Sequence, residues 1–153
     1  MQLKDIFNGN VLLIGVGNSL RGDDSAGSIF ITRCSIKKIK CGLIDAGMSP
    51  ENFLNKILSS SFNTIIVVDS VEMNESAGTV KIFSPEEISS GSISTHNSSL
   101  KIFFEYIKSQ KPEIKLYLIG IQPKSLKFGE RISREVDESI DMLVERIKEL
   151  CMN

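Results

Sequence analysis

Short apolar runs alternate along the chain with stretches whose apolar residues recur at helical spacing. Residues 11–14, Val-Leu-Leu-Ile, form a continuous apolar run followed by Gly15 and Gly17, the way a strand buried on both faces enters a βα unit. A loop over 18–23 follows. From Asp24 the spacing turns helical, through Ile29, Phe30, Arg33 and Cys34, with Asp24 or Ser25 as candidate N-cap. Residues 41–46 predict a second strand closed by Gly47, and Pro50 opens a helix through Phe53, Leu54, Ile57 and Leu58. Residues 63–69, built on Ile65, Ile66, Val67 and Val68, are the most β-like segment and predict a central strand. Residues 78–83 alternate Val80 and Ile82 against Thr79 and Lys81, predicting a half-exposed edge strand. Only residues 70–77 separate it from the central strand, so it is expected to run antiparallel to that strand.

Residues 84–93 are rich in Ser, Glu and Pro and read as a turn of helix and a polar loop. A helix over about 97–109 presents Leu100, Phe103, Phe104 and Ile107 on one face, and 113–120 give a further strand. After a loop over 122–129, a long amphipathic helix at 133–150 carries Val136, Ile140, Leu143, Val144, Ile147 and Leu150, with Ser133 as a simple cap. The element order predicts an α/β fold, a three-layer α/β/α sandwich on a mostly parallel five-stranded sheet with one antiparallel edge strand. The 153 residues, without repeats or linker, predict one domain over 1–153.

Composition narrows the function classes. The chain is 41% apolar and 24% charged, with a net charge of -1, so no basic footprint for nucleic acid or an anionic membrane surface is visible. No stretch approaches the roughly 18 apolar residues of a membrane span. Residues 1–10 carry Asp5 before a short apolar run, so no export signal is expected. Cys34, Cys41 and Cys151 form no CxxC pair, and three cysteines make no secreted-type disulfide framework. A reducing cytoplasm fits best.

In an open α/β sheet ligands bind beyond the carboxyl ends of the strands. Three polar features fall there or in bordering loops: the Gly15–Asp24 segment, Asp69 directly after its strand, and His96, the one histidine. Two carboxylates and an imidazole make a mixed O/N donor set suited to borderline divalent ions such as nickel or zinc. Three ligands leave positions open. Each residue also has an ordinary use: Asp24 as a helix cap, Asp69 as a strand-end turn residue, His96 as an exposed loop residue.

Other chemistries fit less well. The third glycine of a GxGxxG turn would fall at Leu20, and Asp23 and Asp24 follow where a pyrophosphate would need attraction, so no nucleotide cofactor is expected. No GxSxG elbow is present, and no cysteine has a recognisable nucleophile setting.

Taken together, Gly15-Val16-Gly17-Asn18-Ser19-Leu20-Arg21-Gly22-Asp23-Asp24-Ser25-Ala26-Gly27, then Asp69, then Ser94-Thr95-His96-Asn97-Ser98-Ser99-Leu100, then Gly120-Ile121-Gln122-Pro123 resemble the hydrogenase maturation proteases, over about residues 11–148. Asp23-Asp24, Thr95-His96-Asn97 and Gly120-Ile121-Gln122-Pro123 are most similar to the branch that matures the hydrogenase 3 large subunit. The resemblance implies a peptidase, an endopeptidase that removes a C-terminal extension from the precursor of a [NiFe]-hydrogenase large subunit once nickel is inserted. It implies Asp24, Asp69 and His96 as metal-binding and catalytic residues. The Ni2+ would be supplied by the precursor, the expected partner, and other divalent ions would occupy the site in vitro. Asp23 would orient a ligand from behind. Ser25 departs from the glycine many members carry and would restrict the backbone at the helix start. The alternative from another class is a non-catalytic metal-binding or nickel-delivery chaperone with the same ligands.

Overall fold

The computed structural model describes residues 1–90, 94–95 and 99–152. Its elements are α1 Leu3–Ile6, β1 Val11–Val16, α2 Ala26–Ile36, β2 Gly42–Gly47, α3 Leu54–Leu58, β3 Thr64–Glu72, β4 Val80–Phe83, α4 Pro85–Ser89, β5 Ser94–Thr95, α5 Ser99–Gln110, β6 Lys115–Ile121 and α6 Arg134–Met152. Short 3-10 turns, Gly22–Ser25 and Pro50–Phe53, lead into α2 and α3.

The sheet runs β2-β1-β3-β6-β4. The first four strands are mutually parallel, and β4 lies antiparallel against β6 at the edge. Pleating divides the central strands between two cores. Leu12, Ile14, Val16, Ile65 and Val67 join Ile57 of α3 and Leu100, Phe103 and Ile107 of α5. On the other face, Val11, Leu13, Ile66 and Val68 pack with Ile6 of α1, Phe30 and Cys34 of α2, and Val136, Ile140 and Ile147 of α6. The three-layer arrangement and the mostly parallel sheet therefore follow the apolar pattern.

Two placements differ from expectation. The edge strand does run antiparallel to β3, but its neighbour is β6, which lies between them. A strand buried on both faces belongs inside the sheet, and β6 is buried along Leu118–Ile121, whereas β4 exposes Val80 and Lys81. The second difference is β5, two residues between the loop expected over 84–93 and the helix expected from about 97, which pair antiparallel with the end of β3. The expected helix start at 97 lies outside the described residues, and α5 is seen from Ser99.

Candidate active site

Strand order reverses between β1 and β3: the chain leaves β1 for β2 on one side and returns to β3 on the other. In open α/β sheets such a reversal is where a ligand binds, at the carboxyl ends of the two strands. Asp69 lies within the last turn of pairing on β3, and Asp24 lies on the 3-10 turn that connects β1 to α2.

Two glycines let these segments approach. A Cβ on Gly27 would stand 2.3 Å from Val16 O and 2.6 Å from Val68 O, so the first turn of α2 rests directly on the backbones of β1 and β3. Gly17 has φ +151, and a Cβ there would fall 1.9 Å from Asp24 O and 3.9 Å from Asp69 Oδ1. Only a glycine allows the chain to pass between the two acids.

Asp24 is 5% exposed. Its Oδ1 accepts from the Ser70 hydroxyl at 2.8 Å and its Oδ2 from the Asn18 backbone N–H at 3.1 Å. It is therefore no helix cap. The helix is entered through the 3-10 turn, and Ser25 at the N-cap position makes no side-chain cap bond. Ser25 itself sits at φ -79, ψ -4, ordinary right-handed backbone, and its hydroxyl donates to Gly22 O at 2.8 Å. The side chain introduces no strain there.

Asp69 is 1% exposed, and its Oδ2 is buried without a hydrogen-bond partner among the described residues. Burial first, and then the Asp24 carboxylate beside it, hold its pKa well above the usual carboxylate range, against a lowering from the Ser70 backbone N–H. An orphaned buried acceptor next to a second carboxylate is costly. It is not a turn residue, since the strand continues beyond it to Glu72.

The third sequence candidate, His96, lies outside the described residues. What is described is its approach: β5 pairs Ser94 with Glu72 and Thr95 with Val71, two residues along β3 from Asp69. Among the described residues no group of three His, Cys, Asp or Glu side chains is arranged to hold a metal ion. Asp24 and Asp69 are the two candidates brought together there.

Asp23 does something other than orient a ligand. Its Oδ1 accepts from Ser133 N at 2.6 Å, and its Oδ2 accepts from Lys124 N at 2.8 Å and the Ser133 hydroxyl at 2.8 Å. Its own N–H donates to Ser125 O at 2.9 Å. The buried carboxylate thus ties the β1–α2 loop to the loop entering α6, where Ser133 caps the helix by accepting from Val136 N.

Sequence reasoning also passed over Gln122. Its Oε1 accepts from Met73 N at 2.7 Å and its Nε2 donates to Glu72 and to Pro123 O, which fixes the chain just after β3. Its place directly after β6, within the Gly120-Ile121-Gln122-Pro123 segment, was the available signal.

Two of the thiols are held in their neutral form. Burial, with Cys151 nearby, pushes Cys34 up to about 12, and burial with Cys151 and Cys34 does the same to Cys41. Such thiols carry almost no thiolate at neutral pH.

Comparison with known proteins supplies the lineage. The family model described as hydrogenase maturation protease matches residues 31–150, a span that takes in Asp69 and begins after Asp24. The hydrogenase 3 maturation protease of Escherichia coli K12 is 27% identical, over 90% of this chain and 88% of its own length. The crystal structure of the [NiFe] hydrogenase maturation protease HycI from Thermococcus kodakarensis KOD1 superimposes with a TM-score of 0.87 at 30% identity, covering 99% of each chain. The E. coli hydrogenase maturating endopeptidase HybD shares the fold, with a TM-score of 0.73 at 22% identity over 91% of this chain and 90% of its own. A match across most of the chain, in sequence and in fold, settles the descent: the chain belongs to the hydrogenase maturation proteases, a family of peptidases.

Proposed function

We propose that this protein is the endopeptidase that trims the C-terminal extension from the precursor of a [NiFe]-hydrogenase large subunit after nickel insertion, and that Asp24, Asp69 and His96 read the inserted ion. The observation that carries the reading is the buried Asp69 Oδ2, without a hydrogen-bond partner among the described residues and adjacent to Asp24. A divalent cation relieves both the desolvation of that oxygen and the repulsion between the two carboxylates.

The donor set fits the ion. Two carboxylates with an imidazole suit nickel, and β5 carries the chain toward His96 beside the end of β3. Ser70 and Asn18 hold Asp24 in one orientation before any ion arrives. Three ligands leave coordination positions for groups of the precursor, so the nickel belongs to the substrate and is shared only in the complex. In the free protein the same incompleteness keeps metal occupancy weak. Asp24, Asp69 and His96 would hold the shared ion, which would supply Lewis-acid polarisation. Loading is thereby coupled to cutting, because an empty precursor offers nothing for the acids to bind. The free thiols accord with action in the cytoplasm.

The test is to incubate the pure protein with nickel-loaded and with nickel-free precursor and to look for the released peptide by mass spectrometry. Peptide is expected from the loaded precursor alone, and its yield should collapse in Asp24→Asn, Asp69→Asn and His96→Ala. A loaded precursor left at full length by the wild type would instead favour the nickel-delivery chaperone. Normal trimming by all three variants would remove the metal-reading site.

A further inference from the structure

The loop that holds Asp24 also reaches the surface. The Asn18 side-chain oxygen accepts from Leu20 N at 2.9 Å, and Asp24 N donates back to Arg21 O at 3.0 Å. Between these two bonds Leu20 is 60% exposed. The loop before α6 is stapled alongside: Gly129 N donates to Leu20 O at 2.8 Å, and Asp23 bonds Lys124, Ser125 and Ser133. The residue before Gly129 is Phe128, 75% exposed. Two large apolar side chains on hydrogen-bonded, internally braced loops, next to a buried acid pair, are unlike scattered surface hydrophobics.

Charge selects what covers them. Arg21 follows Leu20 directly, Lys127 precedes Phe128 and Arg131 lies three residues after it, and no ion pair is formed by these three side chains among the described residues. Across residues 18–22 and 124–131 the acid is Glu130 alone, against the bases Arg21, Lys124, Lys127 and Arg131. The surface is locally cationic on a chain whose net charge is -1. A second copy meeting this face isologously would set cations against cations, whereas an apolar patch with an acidic fringe is complementary.

We propose that Leu20 and Phe128, within the fringe of Arg21, Lys127 and Arg131, are the docking platform for the folded body of the large-subunit precursor, which presents an apolar patch edged by carboxylates. This deepens the reading of the function given above and rests on it for the partner's identity. The platform lies on the surface, apart from the Asp24–Asp69 pair, so it contributes equally to loaded and nickel-free precursor, and it delivers the extension through the loop that Leu20 shares with Asp24.

The experiment measures the affinity of immobilised protein for both forms of the precursor, together with KM for cleavage of the loaded form. Leu20→Ser combined with Phe128→Ser, and separately Lys127→Glu combined with Arg131→Glu, should each weaken Kd for both forms about tenfold or more and raise KM correspondingly. Wild-type binding should weaken with added salt and the charge-reversed variant should lose that dependence. Lys115→Glu, at the opposite end of β6, serves as the charge control and should bind as wild type. Unaltered Kd and KM in both double variants would overturn the platform while leaving the protease reading intact. Platform-dependent binding with no peptide released would do the reverse. Wild-type self-association abolished by Phe128→Ser would assign the face to a second copy and also overturn the proposal.

Discussion

Ser70 directs its hydroxyl at Asp24 Oδ1 from within the core, at 2.8 Å, and so fixes a carboxylate that no helix N–H holds. In the proposed site Asp24 is a metal ligand, and removing a group that orients such a ligand typically lowers activity about 10- to 100-fold. Ser70→Ala is expected to slow trimming of the loaded precursor by that order, with circular dichroism unchanged and Ser70→Thr restoring most of the rate. Asp69 gives a prediction of opposite sign for stability. Its neutral form is favoured in the folded state, so ionisation costs stability as pH rises from the unfolded value, about 4, through the raised folded value. Asp69→Asn removes that cost. It should melt a few degrees above wild type at pH 7 by calorimetry while losing trimming, and the gain should vanish below about pH 4, where the native acid is also neutral. A lower melting temperature at pH 7 would contradict the strained acid pair. Asp69 was legible as a candidate because it follows an apolar run directly, and Asp24 because it ends the glycine-rich loop after the first strand. The partners that give them meaning were not, because Ser70 and Asp24 are far apart in the chain, as are Asp23 and Ser133. No local pattern encodes such pairings.

At the level of elements, the site depends on how closely α2 lies on β1 and β3. Gly27→Ala places a methyl carbon 2.3 Å from Val16 O and 2.6 Å from Val68 O, a conflict with backbone that no rotamer relieves. Overpacking of this kind costs about 1–3 kcal/mol, and for a chain of this size each kcal/mol lowers Tm by roughly 2–4 °C. A thermal melt of Gly27→Ala within a degree of wild type would contradict the close approach. The larger elements were readable because continuous apolar runs mark the buried central strands and apolar residues at helical spacing mark the helices. The neighbours of β4 and the existence of β5 were not. A four-residue edge strand carries its direction in a short connection, but its partner is decided by where the better-buried β6 inserts. Two residues have no periodicity at all.

Across the whole molecule the two cores and the long α6 seal Cys34 and most of Cys41 away from water, and both thiols are pushed up to about 12. Their neutral forms are favoured in the folded state, so stability is unaffected by them below the unfolded value, near 9, and falls as the pH rises from there toward 12. Urea melts across pH 8 to 11 should show that decline, reduced in Cys34→Ala relative to its own value at pH 8. The three-layer architecture was visible from the strand and helix order alone, the sheet rule placed the chemistry at the carboxyl ends of the strands, and the resemblance implied the roles of Asp24, Asp69 and His96. What folding adds is the position of the acids at the reversal of strand order, one of them unsatisfied. The most direct measurement is an anomalous-difference map from crystals soaked in millimolar nickel or cadmium. The account predicts one dominant peak bonded to Asp69 Oδ2 and Asp24, lost in Asp69→Asn; a map with no peak between these carboxylates, or with its strongest peak elsewhere, would contradict it.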